Sequence, residues 1–204
     1  MQKILIYLLC LALTAACIGC GTSVASDATE PSEVSAPSAD RSALDALQTV
    51  WNALPEDSRF ACYGGSQRTD PILNAPAAFD LSDKESLTYL YLVPESLQEQ
   101  IADAATLVES TDSTLFTGAS YVVQGDAAEF GSQLLLAMQR NPYSELRPQA
   151  MTAIVCGSCV LVASGSTDHI EAFRNAALAA LSGAVEIAAE ENDVDITSDS
   201  TYNG

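Results

Sequence analysis

The sequence predicts an α+β domain, with an antiparallel sheet packed against helices and built from two strand–strand–helix units that follow N-terminal helices. Two observations lead to this prediction. Residues 105–138 and 152–181 each contain two β-rich runs followed by a helical pattern of apolar side chains. In the second unit, only Gly157 and Ser158 separate the two runs, and a two-residue linker that begins with glycine favours a type II′ hairpin.

The first part of the domain is predicted to be mainly helical, because apolar side chains recur there every three or four residues. The predicted helices are residues 43–54, a segment that Ser82 caps and Pro94 ends, and residues 95–104. Pro55 ends the first of them, since proline lacks the amide hydrogen that a helix needs. Short β-rich runs predict strands at residues 60–63 and 105–109.

The second part of the domain is predicted to contain longer strands, each hairpin leading into a helix. The predicted strands are residues 114–123, 152–156 and 159–163. Asp126 has the position of a helix N-cap, with Glu129 as its reciprocal partner, and Asp168 repeats this spacing with Glu171. We expect both of these helices to cover one face of the sheet and the N-terminal helices to cover the other.

Residues 1–20 have the three parts of a secretion signal peptide. Lys3 supplies a positive charge, an apolar run follows over residues 4–16, and small residues lead into a cysteine. The run is shorter than the ~20 apolar residues that a membrane-spanning helix needs, so a transmembrane anchor is the weaker interpretation. An ordinary cleaved signal is also weaker, because it needs no cysteine. Residues 1–20 are therefore predicted to be a lipoprotein signal peptide.

The cysteine predicted to carry the lipid is Cys20, with Cys17 as the alternative. Neither has the leucine three positions earlier that is usual in this motif. Cys20 is preferred because the small residue Gly19 precedes it and the tether 21–24 follows it. A diacylglycerol on the thiol brings two acyl chains, which suffice for stable anchoring. The mature protein is thus predicted to lie on the extracytoplasmic face of the cell membrane.

Beyond the leader, the composition divides the chain into three segments. Residues 21–40 are rich in Ser, Ala, Thr, Pro and Glu, and they predict a disordered acidic stalk. Residues 41–183 are long and apolar enough for a single α+β domain. Residues 184–204 are predicted to be an acidic C-terminal tail, whose spacing lacks the glycine and bidentate glutamate of a calcium loop.

The chain is strongly acidic, with a formal net charge of -19 at pH 7. Such a surface repels nucleic acid phosphates, which bind to clusters of Lys and Arg, so nucleic acid is excluded as a partner. It also repels anionic lipid headgroups. We therefore expect the domain to stand away from the bilayer on its stalk.

Cys156-x-x-Cys159 is the one motif in the sequence that suggests chemistry. Such a pair is a redox dithiol, or half of a zinc site that needs two further ligands. Redox dithiols lie at helix N-termini, where the thiol pKa falls, whereas a strand-like run follows Cys159. For zinc, only Cys62 and His169 remain as soft ligands, without a ligand spacing. Packing as small apolar residues or a disulfide is therefore favoured, and Cys62 is a further candidate for such a disulfide.

No catalytic residue, metal site or cofactor is predicted. His169 is the only histidine, so any Ser-His-Asp or Cys-His arrangement would have to use it. We expect it to be a solvated residue at the start of a helix. A group of aromatic residues in the first half favours core packing, and it is also the first place to expect a binding cleft. These residues are Trp51, Phe60, Tyr63, Phe79, Tyr89 and Tyr91.

A family resemblance rests on apolar spacing in about the last third of the chain. The residues that carry it are Tyr121-Val122-Val123, Asp126, Phe130, Ala153-Ile154-Val155, Gly157 and Val160-Leu161-Val162. With the leader and the stalk, they resemble a family of uncharacterised lipoproteins from Gram-positive gut anaerobes, known only as a domain of unknown function. In that family an aromatic residue often follows the hairpin glycine by two positions, where this chain has Cys159. The resemblance implies a location and a fold, and no activity.

These observations together favour a membrane-anchored extracytoplasmic lipoprotein with a non-catalytic binding or interaction domain at the cell envelope. Its partners would be the membrane, through the lipid anchor, and an envelope protein or a small ligand. One alternative is a thiol–disulfide redox protein that uses Cys156 and Cys159. Another alternative is a structural envelope component.

Overall fold

The computed structural model describes residues 41–66, 71–140 and 148–187 of the 204-residue chain. The predicted signal peptide, both candidate lipidation cysteines and the predicted stalk lie outside the described residues, as does most of the predicted acidic tail. Among the described residues, no helix is both long enough and apolar enough to cross a membrane.

The described residues form five α-helices and eight strands, and the predicted α+β class is confirmed. The helices are α1 (Ala43–Ala53), α2 (Lys84–Tyr89), α3 (Glu95–Gln98), α4 (Ala127–Gln139) and α5 (Thr167–Ala180), with a short 3₁₀ helix at Glu56–Ser58. The strands are β1 (Cys62–Gly64), β2 (Ile72–Leu73), β3 (Ala77–Ala78), β4 (Ile101–Glu109), β5 (Phe116–Val123), β6 (Ala150–Cys156), β7 (Cys159–Gly165) and β8 (Val185–Ile187).

All eight strands belong to one sheet, and every pair of neighbours is antiparallel. The strand order is β2-β1-β4-β5-β7-β6-β8, and β3 also pairs with β4. The interior strands β4, β5, β7 and β6 bury side chains on both faces of the sheet.

The β6–β7 hairpin has the predicted two-residue turn. Cys156 and Cys159 are the cross-strand partners that flank the turn, and Gly157 has a φ of 64°. Among the described residues other than glycine, a positive φ occurs only at Asn74 and Leu92, so Ser158 has a negative φ. A positive φ at the first turn residue alone defines type II′, because type I′ needs it at both.

The N-caps of the helices agree with the sequence in one case and differ in two. Asp126 caps α4, its side chain accepting from the N–H groups of Ala128 and Glu129. The expected cap Ser82 is wrong by one residue: Asp83 accepts from the Ser86 N–H at 3.2 Å. The N-cap of α5 also differs from the predicted residue.

At the start of α5, the predicted cap Asp168 is wrong by two residues. Ser166 accepts from the His169 N–H at 3.4 Å, and the helix begins at Thr167. Asp168 therefore lies in the first turn, where its negative charge interacts favourably with the helix dipole without capping the backbone.

The predicted helix over residues 95–104 is wrong in its second half. The helix α3 ends at Gln98, and β4 begins at Ile101, which pairs with Val123 of β5. The sheet also extends the domain past Gly183, the predicted boundary, because β8 pairs with β6 from Val185 to Ile187.

Two hydrophobic cores cover the two faces of the sheet, and the predicted distribution of helices over these faces is wrong. Phe173 of α5 shares one core with Leu47 of α1 and Leu161 of β7. Phe130 of α4 lies in the other core with Val160, as do buried residues of α2 and α3. Successive residues of β7 point to opposite faces, and because residues 159–163 are all apolar and buried, both faces need a covering helix.

Candidate functional site

The thiols of Cys156 and Cys159 are both buried and both free in this structure. The Cys159 sulfur lies 3.0 Å from Ser120 Oγ on β5, whereas the Cys156 thiol donates to the backbone oxygen of Ser182 at 3.2 Å. Each sulfur thus has its own partner on a different element. After Cys159 the chain continues as strand β7, so Cys159 does not lead into a helix as the thiols of a thioredoxin-type redox pair do.

Burial makes two of the thiols poor acids. Desolvation raises the pKa of Cys159 to about 11, although the Ser120 hydrogen bond acts in the opposite direction. Desolvation, together with the negative charge of Glu109, also raises the pKa of Cys62 to about 11. A nucleophilic or redox cysteine needs the reverse, a lowered pKa that keeps the thiolate populated near neutral pH.

Iodoacetamide at pH 8 is expected to alkylate Cys62 and Cys159 in the folded protein about 100-fold more slowly than in the urea-unfolded chain. The thiolate is the reactive form, and a thiol with a pKa of about 11 holds far less of it at this pH than an ordinary thiol near ~8.5. In the folded protein the rate should rise about tenfold per pH unit up to the raised pKa, whereas in the unfolded chain it should level off above about pH 8.5. Peptide mass spectrometry measures each cysteine separately, and equal rates in the folded and unfolded chains would contradict the prediction.

His169 lies in the first turn of α5, as predicted, but it packs against the sheet and is only partly solvated. Its side chain is only 27% exposed, and its ring packs 4.6 Å from the ring of Phe60. The Nδ1 atom lies 3.5 Å from Glu109 Oε2 and 3.3 Å from the backbone oxygen of Leu115. Because α5 covers this face of the sheet, the first turn of the helix brings His169 to the end of β4.

Glu109, the carboxylate beside His169, was not predicted from the sequence as a candidate site residue. It is 8% exposed, and Thr111 donates to its Oε1 atom, while Oε2 has no hydrogen-bond partner. One sequence pattern could have indicated Glu109: Ala105, Leu107 and Glu109 alternate along one strand and so share one face of the sheet. A carboxylate on that apolar face predicts a buried acid that needs a partner.

Cys62 is the cross-strand partner of Glu109, so a thiol, a carboxylate and an imidazole lie at this end of the sheet. The charge of Glu109 opposes formation of the Cys62 thiolate, which a thiol nucleophile would need. Across residues 41–66, 71–140 and 148–187, no three His, Cys, Asp or Glu side chains are arranged to hold a metal ion. The contact between Glu109 and His169 joins the end of β4 to the first turn of α5.

The aromatic residues of the first half do not form one cluster. Trp51 and Phe60 pack with each other in the core under α1 and α5, at 5.4 Å between ring centroids. Phe79 and Tyr91 pack in the core on the opposite face, also at 5.4 Å. Tyr89 is 71% exposed. The sheet separates these rings, so they do not line a common cleft.

A cleft of about 530 Å³ lies at another place, between the C-terminal half of α4, the start of β6 and the edge strand β8. Leu135, Met151 and Ile187 supply apolar surface to it. Gln139, Gln149 and Glu186 supply polar atoms. Small-molecule sites in proteins have volumes of roughly 300–1,000 Å³ and combine apolar walls with a few polar groups.

The described residues thus define an antiparallel α+β domain with buried thiols and a cleft of ligand size. Comparison of the chain with protein-family models, with curated proteins and with solved structures found no match. The resemblance to a lipoprotein family therefore stays a prediction.

Proposed function

We propose that this protein is a lipid-anchored, extracytoplasmic lipoprotein whose domain binds a partner or small ligand at the cell envelope without catalysing a reaction. The observation that carries the proposal is the leader. Lys3, the apolar run 4–16 and a cysteine after small residues are together typical of a lipoprotein signal. The polar segment 21–40 is long enough to serve as the tether between the lipid and the domain.

Two features of the domain support a binding role over the thiol–disulfide alternative. The burial and raised pKa of Cys159 leave little thiolate for exchange with a substrate disulfide near neutral pH. The cleft beside α4, in contrast, offers a volume and a mixture of apolar and polar atoms that suit a bound molecule.

Replacing Cys20 with alanine is expected to abolish incorporation of an alkyne-labelled fatty acid when the full chain is expressed in bacteria. The thiol of this residue is the proposed site of the diacylglycerol, and without its acyl chains the protein should also leave the membrane fraction. Cys17→Ala is the matched control, because it removes a thiol three positions earlier. It should retain both the label and membrane association.

Two outcomes would count against this assignment. If the label is lost in Cys17→Ala and kept in Cys20→Ala, Cys17 is the lipidated residue and the assignment to Cys20 is wrong. If wild-type protein takes up no label, the proposal of a lipid anchor is wrong.

A further inference from the structure

The walls of the cleft between α4, β6 and β8 are held by close packing of α4 on β8. Gly131 of α4 faces Ile187, and a Cβ atom at this position would overlap Ile187 Cδ1. The same Cβ would lie 3.3 Å from Val160 Cγ1 on the sheet. The absence of a side chain at Gly131 therefore lets the helix approach the edge strand and keeps Ile187 in the apolar wall.

The charge of the cleft is largely compensated. Glu186 is the only charged residue among its described lining. One of its oxygens accepts from Thr152 Oγ1 at 3.1 Å, and the other accepts from Arg174 Nε at 2.7 Å. The described lining contains no Lys or Arg, and the guanidinium of Arg174 is paired with Glu186.

The remaining polar side chains of the described lining are carboxamides. Gln139 lies in the last turn of α4, and Gln149 precedes β6. Gln149 Oε1 accepts from the Thr167 N–H at 3.4 Å, which turns the amide nitrogen of Gln149 away from Thr167. Carboxamides donate and accept hydrogen bonds without charge, so they match hydroxyl or amide groups of a ligand.

From these observations we infer that the cleft binds an uncharged small molecule with an apolar body and a hydroxyl or amide edge. The inference rests on the proposed binding function and names the class of its ligand. The apolar body would contact Leu135, Met151 and Ile187, and the polar edge would contact Gln139 and Gln149. Burial of the apolar body supplies the affinity, and the two carboxamides orient the ligand.

The test compares two fluorescent probes on the full chain: uncharged N-phenyl-1-naphthylamine and its sulfonated analogue 1-anilinonaphthalene-8-sulfonate. We expect saturable binding of the uncharged probe, and at least tenfold weaker binding of the anionic one. Met151→Lys places a cation in the apolar wall and should weaken binding of the uncharged probe at least tenfold. It should also strengthen binding of the anionic probe.

Gln133→Lys is the matched control, because Gln133 is exposed on the same helix and outside the cleft. It adds the same charge and should change neither titration. Gln139→Lys, at the half-buried rim, repeats the test without altering the apolar wall, in case Met151→Lys does not fold. The N-terminal region, with any acyl chains that it carries, is the same in wild type and in these three variants, so its own affinity for an apolar probe cancels in the comparison.

The inference is overturned if Met151→Lys and Gln139→Lys bind the uncharged probe as wild type does, or if Gln133→Lys has the same effect as they do. In a chain that carries Cys20→Ala and so lacks the proposed lipid site, Met151→Lys should weaken binding of the uncharged probe by the same factor as it does with Cys20 present. A negative probe result with intact lipid labelling therefore rejects the cleft alone. Absent labelling with intact probe binding rejects the anchor alone.

Discussion

Replacing Phe116 with alanine is expected to lower the free energy of unfolding by about 3–5 kcal/mol. Phe116 is fully buried at the start of β5, under α5. Its ring contacts those of Phe60 and Phe173, at 4.9 and 5.4 Å between centroids. Removing this ring leaves a cavity in a core whose walls are fixed by the sheet. The lost stability therefore combines the transfer free energy of the apolar ring with the packing contacts that the cavity removes.

Urea unfolding followed by tryptophan fluorescence measures this effect, because Trp51 is the only tryptophan and lies in the same core. Leu115→Ala is the control, since Leu115 precedes Phe116 and is 37% exposed. It should cost less than about 1 kcal/mol. Equal unfolding midpoints for the two variants would show that the Phe116 ring contributes no more to stability than the partly exposed Leu115 side chain.

Gly165→Ala is expected to destabilise the protein by about 3 kcal/mol or more, through overpacking against backbone. A Cβ atom at Gly165 would overlap the backbone oxygen of Leu115 and lie 2.9 Å from Phe116 Cα. The Leu115 oxygen also accepts from the Ser166 N–H at 2.9 Å, at the start of α5. Relieving the overlap therefore separates β7 from β5 or disrupts the beginning of the helix.

Comparing the thermal unfolding of Gly165→Ala with that of Gly183→Ala distinguishes the destabilisation caused by this overlap from the destabilisation caused by losing a glycine. Gly183 has a φ of 77°, and a Cβ atom there would meet no atom within 4 Å. Its replacement should cost only the strain of a left-handed residue, roughly 1–2 kcal/mol. We expect Tm to fall by roughly 10 °C for Gly165→Ala and by roughly 3–5 °C for Gly183→Ala. A similar fall for both would argue against the close contact at Leu115.

Signals that act within a few residues predicted their elements well. Asp126 begins α4, because its carboxylate can reach the N–H groups of Ala128 and Glu129 in any structural context. Gly157 likewise forms the hairpin turn, since its preference for positive φ is a property of the residue itself. Neither result depends on how the distant parts of the chain pack.

The strand β4 shows how pairing overrides a local pattern. Leu97, Ile101 and Ala104 are spaced as on one helix face, which predicted a helix through residue 104. In the structure, Ile101 pairs with Val123, and Ala104 pairs with Tyr121. Hydrogen bonding and burial along β5 stabilise the extended form, and the spacing within 97–104 carries no information about that partner.

The candidate sites depended on tertiary structure to a still greater degree. His169 and Glu109 meet only because α5 covers the face that Glu109 shares with Leu107. The cleft requires α4, the start of β6 and β8 to meet around Ile187, and the sequence had placed this residue outside the domain. No local pattern in these segments specifies their mutual distance.

By itself, the sequence determined the α+β class, the β6–β7 hairpin and the beginning of α4, and the proposed location rests on the pattern of residues 1–20 alone. The tertiary structure alone decided which face each helix covers, where β4 begins, and which polar side chains meet. The physical reason is the range of the interactions. Turns and caps are settled between residues a few positions apart, whereas faces, registers and clefts depend on contacts between segments that only the folded sheet brings together.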